Sequence, residues 1–390
     1  MPNARYSSRE MIARLVGFDT TSRDSNLALI DFAEDYLTSY GATTRRTYDD
    51  EGRKANLFAT IGPDEAGGVV LSGHTDVVPV DGQDWHSNPF EVIEKDGLLY
   101  GRGTADMKSF LAIAMAALPD LVAKPVKRPI HLALSYDEEV GCIGVGRLLQ
   151  DIKENLPMPE VAIIGEPSDM QIVHAHKGVH GFEVKIKGKA AHSSQPHRGA
   201  SAIIAAGKII AFIEQLALSK RAEARPESGF EPPYTSFQIG RIEGGAALNI
   251  IPEDCTFIGE FRAVPWEDEE GIIAAIRRYI DEEALPALRE FTPDAHIEFT
   301  DRANVPPLAP EEDGPAEAFV RQLTGANAVG VVSYATEGGL FQEAGMSAVI
   351  CGPGSIDQAH QPNEFIALSQ VEQCERFMAR LWDWAGQDKA

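Results

Sequence analysis

Four apolar runs in this chain, each of strand length, stop on groups that bind cations. Gly68-Val-Val-Leu71 leads into Ser72-Gly-His-Thr-Asp76, and Pro129-Ile-His-Leu-Ala-Leu-Ser135 leads into Asp137-Glu-Glu139. Val161-Ala-Ile-Ile164 leads into Gly165-Glu-Pro167, and Ser347-Ala-Val-Ile-Cys351 runs on to His360. Short continuous apolar runs of this kind read as buried strands. In open α/β sheets ligands bind beyond the carboxyl ends of the strands, which is where these imidazoles and carboxylates fall. His74 and Asp76 are two residues apart, so in extended backbone their side chains leave one face. A carboxylate there can fix the tautomer of a metal-bound histidine. For that stretch alone, a His–Asp hydrogen bond in an ordinary turn is the alternative.

The chain has 390 residues, too many for one typical core, so two domains are expected. Residues 7–18 and 26–40 have the pattern of amphipathic helices, with Ser7 or Ser8 and Ser25 as caps. A turn-rich segment from Asp81 leads to Gly101-Arg-Gly-Thr-Ala-Asp-Met-Lys108 and then to an apolar helix from Phe110 to Leu118. Asp106 stands at the entrance of that helix; its ordinary role there is an N-cap. The two glycines upstream allow a close approach of the backbone to a ligand or another chain. After Lys177-Gly178, Phe182, Val184 and Ile186 alternate with charged residues, as in a sheet with one wet face. The succeeding elements are a helix over 200–218, strands at 236–242 and 256–261, a helix over 269–288 and a strand at 295–299. That βαββαβ order is a ferredoxin-like unit, inserted because the Ser347–Cys351 strand follows it. The expected domains are 1–178 and 303–390 for the first and 179–302 for the insertion.

Charge narrows the partners. With 59 acidic against 35 basic residues, the net charge is −24. Such a field repels nucleic acid and anionic membrane, and no Lys/Arg cluster offsets it. Cys142, Cys255, Cys351 and Cys374 show no CxxC spacing, which fits a reducing compartment. The terminus Met1-Pro-Asn-Ala-Arg-Tyr lacks the apolar core of a leader. The longest apolar span is expected at Phe110–Leu118, ending at Pro119 and too short for a membrane. A cytoplasmic protein without membrane or nucleic-acid partners is expected.

His74, Glu138, Glu139, Glu166 and His360 thus share one sheet edge, with Asp106 opening a helix nearby. That many carboxylates repel one another without cations. Imidazole with carboxylate suits Zn²⁺, Co²⁺ or Mn²⁺ rather than Ca²⁺. Three ligating carboxylates and one hydroxide neutralise two divalent ions and leave Glu138 free as a general base.

Ser72-Gly-His-Thr-Asp76, Gly103-Thr-Ala-Asp-Met-Lys108, Asp137-Glu-Glu139 and Ile164-Gly-Glu-Pro167 resemble the motifs of the M20 family of dinuclear-zinc aminoacylases and carboxypeptidases. A narrower likeness, to members that deacetylate acetylornithine, is carried by His176-Lys-Gly178, His192–Gly199, Tyr334-Ala-Thr-Glu337 and Gly352–Glu364. The resemblance implies a zinc-peptidase-like α/β catalytic domain, its mixed sheet flanked by helices, with the insertion as lid and dimerisation domain of a homodimer. It implies two zinc ions, replaceable by cobalt or manganese. His74, Asp106 and Glu166 would hold one, and Asp106, Glu139 and His360 the other. Asp76 would orient His74 and Glu138 would be the base. His192 would reach the reacting carbonyl, and Asn249 and Arg262 would bind a substrate carboxylate, a task suited to a bidentate guanidinium. The substrate would be a small N-acyl amino acid, N2-acetyl-L-ornithine, placing the chain in arginine biosynthesis. The alternatives are another M20 deacylase or dipeptidase, such as a succinyl-diaminopimelate desuccinylase, and a metal-free binding protein on the same fold. His131, His174, His176, His180 and His197 read as structural, and spacing gives Glu337 no role.

Overall fold

The computed structural model describes residues 4–388, so Met1, Pro2 and Asn3 of the terminus read as leaderless lie outside the described residues. The chain divides into two compact units. One takes in the chain up to Ala175, Leu308–Val331 and the chain from Thr336; the other takes in His176–Pro307 and Val332–Ala335.

The first unit is built on an eight-stranded mixed sheet. Its order is Thr43–Tyr48, Ala55–Ile61, Ile130–Ser135, Val69–His74, Val161–Pro167, Ser347–Gly352, Val173–His176 and Gly330–Val332. The four strands at its centre, from Ile130–Ser135 to Ser347–Gly352, run parallel. The strands Ala55–Ile61 and Val173–His176 pair antiparallel on either side of them. Because the parallel strands are the ones that end in the acidic and imidazole motifs, all four motifs emerge along one edge. Their registers are tight, with Ser72 opposite both Ala133 and Ile164.

The helix Lys108–Val122 is buried along nearly its whole length against these strands. Two glycines allow the approach. A Cβ on Gly165 would meet the Phe110 ring at 2.0 Å, and one on Gly73 would meet Met107 Cε at 2.7 Å. Each glycine directly precedes a functional side chain, Glu166 or His74, so the helix start is pressed against the strand ends that matter. Asp106 does not cap this helix: Met107 occupies the cap position without a side-chain bond. The helix also continues past Pro119 to Val122, although the proline gives up one i→i−4 hydrogen bond and crowds the carbonyl one turn back. Ser7 does cap, forming a reciprocal box with Glu10 ahead of the helix Ser8–Val16.

Several elements lie outside the expectations drawn from sequence. The strand Thr43–Tyr48 is a polar, half-exposed edge, and Val145–Asn155 is an amphipathic helix. The turn-rich segment contains a hairpin, Ile93–Lys95 with Leu98–Tyr100, turning at Asp96 and Gly97 with φ of 53° and 79°. A third strand, Phe365–Ala367, pairs antiparallel with Leu98–Tyr100.

The second unit has an antiparallel sheet ordered Ser236–Gly244, Asp254–Ala263, Gly178–Lys187, His296–Val305. With the helices Ala202–Ala222 and Glu269–Tyr279 this is the βαββαβ chain path of a ferredoxin-like unit. Phe182, Val184 and Ile186 are buried with Ile209, Ile213, Ile272 and Ile276 in its own core. The second helix passes through a π turn at Ile280–Ala284 before ending at Arg289. Ala202–Ala222, at 21 residues, corrects the expectation about the longest apolar span, since its length and composition would suffice to cross a membrane. Its apolar stripe of Ala202, Ala205, Ala206, Ile209 and Ile213 is packed in the unit's core.

Candidate metal centre

His74 ends its strand buried. Its Nδ1–H donates to the backbone carbonyl of Asp76 at 2.9 Å, which fixes the tautomer and leaves Nε2 as the free donor atom. Nε2 faces Asp106 Oδ1 at 3.0 Å and Glu166 Oε1 at 3.7 Å. His360 Nε2 lies 3.3 Å from Asp106 Oδ2 and 2.9 Å from Glu139 Oε2. Asp106 therefore turns one carboxylate oxygen to each imidazole. Ligand atoms of His74, Asp106 and Glu139 lie within 4.8 Å of one another, as do those of His74, Glu138 and Glu166. His360 sits at the rim, its side chain 55% exposed, with backbone in the left-handed region at φ 64°.

Asp76 acts differently from the expectation. Its carboxylate is 3.6 Å from His74 Nδ1, and its carbonyl takes that hydrogen bond instead. The carboxylate accepts from Ser22 Oγ at 2.8 Å and from the backbone N–H groups of Glu138 and Glu139 at 3.1 and 3.3 Å. It thus holds the turn that presents both glutamates. Asp137, the first acid of that run, pairs with Lys54 Nζ at 2.5 Å. Glu138 and Glu139 have no such lysine partner among the described residues.

The electrostatics follow from burial. Burial pushes Glu138 and Glu166 well above the usual carboxylate range and lifts Glu139 to about 7, and neighbouring carboxylates add to each shift. Burial opposes a charge on His74, yet the bond to Asp106 and the other carboxylates nearby hold it well above the ordinary imidazole range. Bonds to Asp106 and Glu139 raise His360 to about 10. The donor set of this nest, two imidazoles and several crowded carboxylates, fits one or two divalent ions of the zinc, cobalt or manganese type. Glu337 lies on the floor of the same edge, buried, with Ser72 Oγ donating to it at 3.3 Å, and burial lifts it to about 7.

The other three expected residues belong to the second unit. His192 and Asn249 are brought together, because segments 191–193 and 249–251 pair through Ser193 N–H to Asn249 O and Ile251 N–H to Ala191 O. Both side chains are exposed. The Ser194 backbone N–H donates to His192 Nδ1 at 3.2 Å, so the ring proton sits on Nε2 in the neutral imidazole. Arg262, on the strand Asp254–Ala263, pairs with Glu260 at 3.0 Å. His131 is a buried core histidine, stacked on Phe58 and bonded to Thr60 Oγ1 at 3.0 Å.

Sequence reasoning missed the supports. Ser22 gives no signal at all, since nothing in its neighbourhood points 54 residues ahead to Asp76. Glu364 stood at the end of a noted motif without a role. It is buried and bonded to the backbone N–H groups of Ala105 and Asp106 at 2.8 and 3.1 Å.

Residues 70–384 match the model of peptidase family M20/M25/M40. The acetylornithine deacetylase of Myxococcus xanthus is 37% identical over 377 residues, 95% of this chain and 96% of its own length. The M20 family metallo-carboxypeptidase Sso-CP2 from Sulfolobus solfataricus has a similar fold, with a TM-score of 0.77 at 17% identity, covering 98% of this chain and 99% of that one. The Bacillus subtilis YXEP protein, a dinuclear metal-binding peptidase from the M20 family, gives a TM-score of 0.63 at 17% identity, with coverage of 96% and 97%.

The raised proton affinity of this nest makes a direct prediction. A divalent ion must displace protons from Glu139 and His360, so its affinity falls as pH drops through 7. Adding Zn²⁺ to chelator-treated protein should raise Tm, and the rise should shrink as pH is lowered from 8 to 6. A Tm indifferent to the ion at every pH would contradict this.

Proposed function

The chain belongs to peptidase family M20/M25/M40, and on that premise we propose that it removes the acetyl group from N2-acetyl-L-ornithine, yielding ornithine and acetate, a step of arginine biosynthesis. It is a metal-dependent amidohydrolase. The observation that carries this reading is Asp106 facing His74 with one oxygen and His360 with the other, an arrangement suited to a carboxylate shared between two ions. The acyl and amino-acid preference rests on the M. xanthus enzyme, similar over nearly the whole chain.

In this reading His74, Asp106 and Glu166 hold one zinc ion and Asp106, Glu139 and His360 the other. Two such ions supply Lewis acidity to the amide carbonyl and to water. Glu138, held by Asp76 through its backbone N–H, accepts a proton from the attacking water and returns it to the departing amine. His192 offers Nε2–H to the carbonyl oxygen as negative charge develops there. Asn249 and Arg262 bind the substrate α-carboxylate, which must compete with Glu260 for the guanidinium. Four buried cysteines, with no disulfide among the described residues, agree with a cytoplasmic location.

Replacing Glu138 by Ala should leave metal content intact and lower turnover by about 10²–10⁴-fold, whereas Glu139→Ala should lower metal content. Turnover near wild type in metal-replete Glu138→Ala would exclude the base role.

Substrate choice follows from charge. A succinyl group carries its own carboxylate, and leaving it unpaired in a closed site costs several kcal/mol, on the order of the penalty for a buried unpaired charge. Metal-loaded protein should therefore show a higher kcat/KM for acetylornithine than for succinyl-diaminopimelate; the reverse order would leave only the broader amidohydrolase class.

The second unit is also proposed to join two chains as a homodimer through residues 179–300. Exposed Leu248, Ile204 and Phe291 on that unit support this. Sedimentation should give a dimer, and a fully active monomer at assay concentration would refute it.

A further inference from the structure

The backbone that carries Asp106 is gathered around a single buried carboxylate. Glu364 Oε1 accepts from the N–H groups of Ala105 and Asp106 at 2.8 and 3.1 Å. Its Oε2 accepts from Gly103 N–H at 3.1 Å and from Arg102 Nη1 at 2.6 Å. Four donors on two oxygens saturate the carboxylate, and the Arg102–Glu364 pair is 1% and 0% exposed. The short three-stranded sheet brings these segments together. Phe365 is registered opposite Tyr100, so Gly101 N–H reaches the Glu364 carbonyl at 2.9 Å and the Glu364 side chain meets the loop beyond.

The same network reaches the other imidazole. Arg102 Nη2 donates to Gln83 Oε1 at 2.6 Å, and Gln83 Nε2 donates to the backbone carbonyl of His360 at 2.9 Å. Trp85 Nε1 also bonds Gln83 Oε1 at 3.0 Å, while its ring lies under the Arg102 guanidinium at 5.1 Å. His360 stands only four residues before Glu364 in a loop whose backbone at His360 and Asn363 is left-handed, with φ of 64° and 59°. Left-handed backbone is uncommon for residues other than glycine and here the surrounding hydrogen bonds hold it. A buried ion pair is a weak source of stability in itself. Here it links the loop that carries Asp106 to the loop that carries His360.

We propose that Glu364, with Arg102 and Gln83, is a clamp that sets the spacing of Asp106 and His360, so that Glu364 is a positioning residue for the ion held between them. The inference rests on the dinuclear metal reading above. None of the three touches the ion; they act through the backbone of its ligands, as outer-shell partners do.

The test uses the full chain, stripped of metal and titrated with Zn²⁺ against a chromophoric chelator, with Co²⁺ spectra in parallel. Glu364→Gln puts an N–H₂ against two of the four donors whichever way the amide turns and should weaken the second ion at least about 10-fold, shifting the Co²⁺ band of that site. Leu381→Ala, a core truncation with Leu381 fully buried in the helix Leu368–Ala385, serves as control: it should lower the metal-free Tm while leaving both affinities unchanged. A Glu364→Gln protein with wild-type affinity and spectrum, whatever its Tm, overturns the clamp. If Glu364→Gln does not fold, half-buried Gln83→Ala decides, with several-fold weakening of the second ion expected and unchanged affinity overturning the proposal. A wild-type chain that binds no second ion refutes the dinuclear reading and the clamp together, an outcome distinct from failure of the variants alone.

Discussion

Everything at the centre of this protein depends on the crowding of negative charge at one sheet edge. Asp106, Glu138, Glu139 and Glu166 approach one another in a buried setting that raises the proton affinity of the three glutamates, and two imidazoles bring at most two positive charges against four negative ones. A chain that builds such an edge spends folding free energy on it, and cations are the means of recovering that cost. Asp106 is the hinge of the arrangement, since its two oxygens serve different histidines.

The rest of the first unit can be understood as what brings Asp106 there. Parallel strands deliver His74, the Glu138–Glu139 turn, Glu166 and the His360 loop to the same edge. Gly73 and Gly165 open the space in which the helix start lies against the strands. Asp76 then divides its labour, its carbonyl fixing the His74 tautomer and its carboxylate fixing the turn that carries Glu138. Polar groups this buried are costly unless every one has a partner, which explains why the supports are as extensive as the site.

Much of this was legible in the sequence because continuous apolar runs identify buried parallel strands, and groups that end them identify the edge. The βαββαβ insertion was legible too, through the change of period from continuous to alternating at Phe182, Val184 and Ile186. What could not be read depends on long-range pairing. The hairpin Ile93–Tyr100 and its partner Phe365–Ala367 are three-residue strands with no distinctive pattern, so the meeting of Arg102 with Glu364 was invisible. The polar edge strand Thr43–Tyr48 lacks an apolar face to announce it. At Asp76, spacing alone does not separate a carbonyl from a carboxylate as the acceptor for His74 Nδ1.

The shared carboxylate can be tested without reference to catalysis. Anomalous diffraction from crystals of the full chain loaded with zinc should show two peaks flanking Asp106, one beside His74 and Glu166 and the other beside Glu139 and His360. A single peak, or two peaks of which one lies away from the Asp106 carboxylate, would contradict the account.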